Sequence, residues 1–276
     1  MRAHARLAAV LLLVTCAACG PGQVTASDPL VKRADDGDHL TIGIRFDAPG
    51  LSQRTIDGRF TGFDVDVAEY VAGKLGVDPK HITWHETTPA TRESDLTSGA
   101  ADLIVGSYSI TDKRKRLVSF AGPYFSTGQD LLVRLNSTDI TVPETLNGRR
   151  LCSVTGSTPA QTVRDKFAQA VQLVEYPRYP DCVTALLANQ VDAVTTDAAI
   201  LAGYAAQDPE LLRVVGRPFS TERYGIGLRK GDTESQHAID DAIQDMIDDG
   251  EWSKSLQANL GPSNYPLPPP PEVTER

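Results

Sequence analysis

Two well-separated stretches, LTSGAADLIVG (96–106) and LLANQVDAVTT (186–196), run through the same order: helix end, tight turn, Asp, apolar strand. Around the first, LTIGIR and ITWHE read as strands and RESDLTSGA as a short helix. FDVDVAEYVAGKLG reads as a longer helix, with Val67, Val71 and Leu75 on one stripe and Gly76 as its stop. Around the second, RRLCSV, VQLVEY and VDAVTTD are strands separated by the helices STPAQTVRDKF and PDCVTALLAN, with Ser157 as the expected N-cap of the former. A chain that makes a βαβ unit twice is of the α/β class, with two largely parallel sheets covered by helices. PYFSTGQDLLVR (123–134) and RPFSTERYGIGLR (217–229) share Phe-Ser-Thr before an alternating apolar run, and read as paired strands crossing between two lobes. Lobe 1 is expected at 39–128, lobe 2 at 129–221, and a return to lobe 1 at 222–262, where Ile239, Ile243, Met246 and Ile247 fall at helical spacing. Two crossings permit hinge closure around a ligand. Residues 19–38 read as a tether and 263–276 as an extended Pro-rich tail.

The N-terminus has Arg2 and Arg6 before an apolar run from Leu7 to Val14, too short to span a bilayer. It reads as an export signal over residues 1–18. Ala17 and Ala18 fit a bacterial lipobox ahead of Cys19, although Cys16 stands where Leu is usual. The expectation is a protein outside the cytoplasm, held to the outer face of the cell membrane by a lipid on Cys19. Two cysteines then remain, and export favours a bridge between Cys152 and Cys182. By chain entropy a loop of that length adds roughly 3 to 4 kcal/mol. No metal-ligand spacing is present, and neither metal nor cofactor is expected. With 36 acidic residues against 27 basic ones, the chain has no field with which to displace phosphate counterions, so nucleic acid is excluded as a partner.

In open α/β sheets ligands bind beyond the carboxyl ends of strands. That rule selects Arg45 after the first strand, Ser107 and Ser109 after the third, Ser157 and Thr158 where strand turns to helix, and Asp197 at the end of VDAVTTD. The basic run Lys113 to Arg116 follows a capping Thr111, and at about 100° per residue its four side chains point four ways. Arg114 is assigned to the cleft, where a guanidinium grips a carboxylate through two parallel hydrogen bonds. Lys113, Lys115 and Arg116 are assigned to solvent.

GRFTGFDVDVAEYVAGKLG, LTSGAADLIVGSYSITDKRKRLVSFAGPYF, GSTPAQTV, VDAVTTDAAILAGY and IDDGEWSKSL together resemble the bacterial solute-binding proteins, family 3, which serve polar amino-acid ABC importers. The resemblance spans roughly residues 38 to 262, and IGIRFDAPGL and LCSVTGST are similar to actinobacterial glutamate-binding lipoproteins. It implies a type II periplasmic-binding clamshell, monomeric, with an ABC permease or a membrane sensor as partner. It further implies that Arg114 holds a ligand α-carboxylate, that Ser107 and Ser109 supply carbonyl and hydroxyl groups, that the Ser157 and Thr158 amides face the carboxylate, and that Asp197 pairs with the α-ammonium. Many relatives carry an acid or a neutral residue where this chain has Arg45, whose charge suits a side-chain carboxylate. The expected ligand is glutamate, then aspartate, with glutamine and asparagine as alternatives. Some relatives of the fold are dehydratases, but there is no GxSxG elbow, HITWH completes no zinc site, and GIGLRKG lacks the context of a dinucleotide loop, so binding without chemistry is expected. Mass spectrometry of the mature protein is expected to find a lipid-modified Cys19 as its first residue; an unmodified cysteine there would end the lipoprotein reading.

Overall fold

The computed structural model describes residues 28–37 and 39–275. The signal peptide, Cys19 and half of the expected tether lie outside them. The duplication read from the sequence appears as two five-stranded sheets of matching plan. In the first, Ile82–Glu86, Leu40–Ile44 and Leu103–Ile104 run parallel, and Glu222–Leu228 and Ser119–Thr127 complete the sheet antiparallel. The second repeats this with Gln172–Tyr176, Arg150–Val154 and Ala193–Asp197 parallel, then Gln129–Arg134 and Leu212–Val214 antiparallel. The chain leaves the first sheet through Ser119–Thr127 and Gly128, enters the second at Gln129, and returns into Glu222–Leu228, which pairs with Ser119–Thr127.

The helical stripes do what their spacing requires. Val67 and Val71 of helix Phe63–Lys74 and Leu75 at its C-cap are buried, as are Ile239, Ile243 and Met246 of helix Thr233–Asp248. The expected single helical end is broken by Gly250, whose φ of 84° is the left-handed stop that glycine allows, and it resumes as Glu251–Leu260. Trp252 of that second piece packs edge-on against Phe63 and donates its indole N–H to the Tyr124 carbonyl at 2.7 Å. Cys152 and Cys182 are bridged, with Cα atoms 5.7 Å apart. A three-stranded sheet of Asp47–Ala48, Ser52–Arg54 and Phe60–Thr61 was not anticipated.

Both terminal segments differ from expectation. Residues 30–37 of the supposed tether form a helix whose Leu30 and Ala34 are buried, and the Leu30 amide donates to Asp232 Oδ2 at 2.8 Å. The Pro-rich tail is a docked strap: Val273 is buried, and the amides of Thr274 and Glu275 both donate to the Gly122 carbonyl at 2.9 Å. Leucine and alanine one helical turn apart, and a single valine among prolines, supply the burial that composition alone obscures.

The two sheets meet along a tight seam. Helix Ala198–Gln207, attached to the second sheet, presents Gly203 to the Pro49 carbonyl, where a Cβ would stand 2.2 Å from the oxygen. Its neighbour Tyr204 donates to the Asp47 carbonyl. Carbon–oxygen contacts need about 3.3 Å, so a methyl here forces the two halves apart by roughly 1 Å. Gly203→Ala is expected to lower stability by about 1 to 3 kcal/mol in urea unfolding, although alanine alone would gain about 1 kcal/mol of helix propensity. A stabilised variant would show that the seam is loose.

Candidate functional site

The six residues selected from the strand ends and Arg114 from the basic run line one hollow between the sheets, together with Pro89, Arg92, Pro159, Tyr179, Thr196 and Ile200. Arg45, at the end of Leu40–Ile44, is buried; its Nε and Nη2 donate to Asp47 Oδ1 at 3.0 and 2.7 Å, and its guanidinium lies 5.1 Å from the centroid of Tyr179. Burial opposes its charge, but Asp47 and the surrounding phenols hold its pKa above the ordinary arginine value. The pairing with Asp47 thus fixes Arg45 in the wall rather than removing it from the site.

Ser107 has a φ of 51°, uncommon for a side-chain-bearing residue, and its Oγ is anchored by donating to buried Asp64 Oδ2 at 3.0 Å. Tyr124 donates to the other Asp64 oxygen at 2.7 Å, and burial pushes that carboxyl above its usual range. Thr111 caps the one-turn helix Asp112–Lys115 by accepting from the Arg114 amide, as expected. Within that turn Arg114 is buried; its Nη1 donates to the Ser109 carbonyl at 2.8 Å and its Nε to Glu93 at 3.2 Å. Lys113 and Arg116 are exposed. Lys115, assigned to solvent, instead forms an ion pair with Glu275 of the strap.

On the facing side Asp197 ends strand Ala193–Asp197 and accepts a hydrogen bond from Tyr224 on Oδ2 at 2.6 Å. Burial first, then the Glu222 carboxylate, push its pKa up to about 7, against the pull of Tyr224, Arg45 and Arg114. Ser157 departs from its expected role. Thr158 occupies the N-cap of helix Pro159–Lys166, and both the amide and the hydroxyl of Ser157 donate to the Val154 carbonyl, at 3.0 and 2.6 Å. The tight turn after Arg150–Val154 consumes that amide, so the donor role expected of the pair falls to Thr158.

Sequence reading missed Arg92. It is the first residue of helix Arg92–Ser98, and its guanidinium lies 4.5 Å from the Tyr108 centroid, the ring that also carries Arg114 at 5.1 Å. Its Nη1 reaches the Ser107 carbonyl at 3.4 Å, while its buried Nε makes no hydrogen bond. Burial, then the neighbouring Arg114 cation, push its pKa down to about 10. A signal was available: helix N-termini favour acidic residues, and a cation at the first position is out of place unless something else holds it. Among the described residues, no group of three or more histidine, cysteine or acidic side chains is placed to hold a metal ion.

The chain matches, over residues 40–262, the family described as bacterial extracellular solute-binding proteins, family 3. The chain belongs to that family. This family 3 protein is 45% identical over 269 residues to the glutamate-binding protein GluB of Corynebacterium efficiens, covering 94% of this chain and 90% of the relative. It is 33% identical to the ABC transporter glutamine-binding protein GlnH of Bacillus subtilis, covering 90% of this chain and 92% of that one. Among solved structures, an ancestral arginine-binding protein bound to glutamine superposes with a TM-score of 0.76 at 31% identity, covering 81% of this chain and 98% of that one. The two-lobed fold of such proteins is therefore that of this chain.

The sign of the Asp197 effect on this family 3 protein follows from its raised pKa. An unfolded Asp ionises near 3.9, so between about pH 4 and 7 the folded state holds the extra proton and this group's contribution to stability falls as pH rises. Asp197→Asn is expected to reduce that decline by up to about 1.4 kcal/mol per pH unit, read from urea unfolding across the range. An unchanged slope would mean that Asp197 is ionised in the folded protein.

Proposed function

We propose that this protein is the extracytoplasmic substrate-binding lipoprotein of an ABC importer, anchored through Cys19, and that it captures glutamate in preference to aspartate by hinge closure. One observation carries the ligand class: a buried guanidinium in the hollow that has no acid of its own. Arg45 is matched by Asp47 and Arg114 by Glu93, whereas no described carboxylate lies within ion-pair distance of Arg92. A buried guanidinium without an acid is costly. A ligand with two carboxylates and one ammonium offers an acid to Arg92 and its ammonium to Asp197 on the opposite wall. Arg114 and Arg92, carried on one tyrosine ring, take one carboxylate; Arg45, set over Tyr179, takes the other. The naming of the Corynebacterium relative as a glutamate-binding protein supports the same assignment. Glutamine, which names the Bacillus relative, is the second ligand to consider, and it brings no second carboxylate to the guanidinia.

Closure is the remaining part of the mechanism. The hollow measures about 20 Å³, and on such a measure one water occupies about 10 to 15 Å³. An amino acid therefore enters when the sheets part about the two crossing segments, and is enclosed as they return. No bond-making step is assigned, since the polar groups of the hollow bind and orient only.

A thermal-shift screen of the twenty amino acids is expected to raise the melting midpoint most with L-glutamate and next with L-aspartate, since a ligand at a hundred times its Kd adds about 2.7 kcal/mol. Arg45→Ala and Arg92→Ala are each expected to weaken glutamate at least tenfold in calorimetry, consistent with about 1.5 to 3 kcal/mol for a charge-assisted hydrogen bond. A screen in which no amino acid moves the midpoint defeats the function; wild-type glutamate affinity in both variants defeats the choice of ligand.

A further inference from the structure

The C-terminal strap reaches back to the two elements that carry Arg114, in the lining of the hollow, and Tyr224, the hydrogen-bond donor to Asp197. The Glu275 side chain, 9% exposed, forms ion pairs with Lys115 and with Arg223, the latter at 3.6 Å. Its backbone is fixed as well: the Glu275 amide donates to the Gly122 carbonyl, its carbonyl accepts from Gln236 Nε2, and Val273 beside it is buried. Lys115 directly follows Arg114 in a helix of four residues, too short to hold its own orientation. At about 100° per residue, a grip on Lys115 from outside sets the rotation that aims Arg114 inward. Arg223 precedes Tyr224 on strand Glu222–Leu228, where successive side chains face opposite sides. Holding Arg223 on the outer side therefore steadies Tyr224, the hydrogen-bond donor to Asp197. The Arg223 carbonyl also accepts from the Ile110 amide at 2.8 Å, tying this strand to the turn that leads into the short helix.

We infer that Glu275 is a positioning residue for ligand capture: from outside the hollow, its single carboxylate sets the aim of Arg114 through Lys115 and of Tyr224 through Arg223. The strap is thereby part of the recognition apparatus rather than a spacer, a role that rests on reading the hollow as an amino-acid site. The full-length mature protein and its Glu275→Gln variant are compared by calorimetry with L-glutamate and by ligand-free thermal melting, with Glu272→Gln, on the exposed side of the same strap, as control. Glu275→Gln is expected to weaken glutamate three- to tenfold with a ligand-free midpoint close to wild type, and to have a smaller effect in an Arg114→Lys background, where only the route through Arg223 and Tyr224 remains. Wild-type affinity in Glu275→Gln, or an affinity loss fully additive with that of Arg114→Lys, overturns the inference. Should Glu275→Gln fail to fold, Lys115→Ala carries the same comparison with the same two outcomes. If the wild-type protein binds L-glutamine and not L-glutamate, the ligand assignment above fails, and the comparison is made with L-glutamine, where it still decides the role of Glu275.

Discussion

Three guanidinium groups and one raised carboxyl, buried on facing walls of a single hollow, are the constraint to which the rest of the molecule answers. Taking such charges out of water costs several kcal/mol each unless partners replace the lost hydration. The chain meets part of that cost from within: Asp47 holds Arg45, Glu93 and the Ser109 carbonyl hold Arg114, and the Tyr108 ring lies within cation–π range of both Arg92 and Arg114. Arginine suits this task where lysine would not, because a planar fork can stack on an aromatic face, bond an internal acid with one edge, and still present another edge to a ligand.

The scaffold exists to bring those walls together reproducibly. Each wall is the carboxyl edge of a parallel three-strand unit, and each unit is completed by an antiparallel strand through which the chain crosses. The disulfide belongs to this plan: it joins strand Arg150–Val154 to helix Tyr179–Leu187, whose first residue is the ring beneath Arg45. Fixing that helix to its sheet fixes the platform for a cation that comes from the other sheet. At the seam, Gly203 lets backbone approach backbone, and Tyr204 uses that approach to reach the Asp47 carbonyl. Asp47 thus works in both directions, its side chain orienting Arg45 and its carbonyl receiving the opposite half.

Much of this was legible because it follows from periodicity and from where strands end. The repeated turn-Asp-strand order foretold the two matching sheets, and the strand-end rule found residues that share a hollow although they lie far apart in sequence. What escaped did so for physical reasons. Arg92 sits at a helix start rather than a strand end, and only its mismatch with the helix dipole marked it. The Ser157 amide was unavailable because a tight turn had already claimed it, and hydrogen-bond competition of that kind is settled by backbone geometry. The helix Leu30–Gly37 and the strap each bury only a few apolar side chains, among charged residues or prolines that outvote them in any compositional reading.

On the proposed reading, two buried groups of the hollow would gain from an opening of the sheets. The buried Arg92 Nε makes no hydrogen bond, and burial, then the Glu222 carboxylate, push the Asp197 pKa up to about 7. Parting the sheets would hydrate both groups, so water would stabilise an open form by the amount that closure withholds. A ligand that supplies an anion to one wall and an ammonium to the other removes both penalties at once. Its differential affinity for the closed form is then the sum of two repaired defects, and only a differential of that kind can shift a conformational equilibrium. An amine-free dicarboxylate would repair one defect and leave the other, and an amine without a carboxylate the reverse. On the proposed reading, selectivity for a zwitterion would arise from the cost of closing over an unanswered charge, and the closing movement and the choice of ligand would have one physical origin.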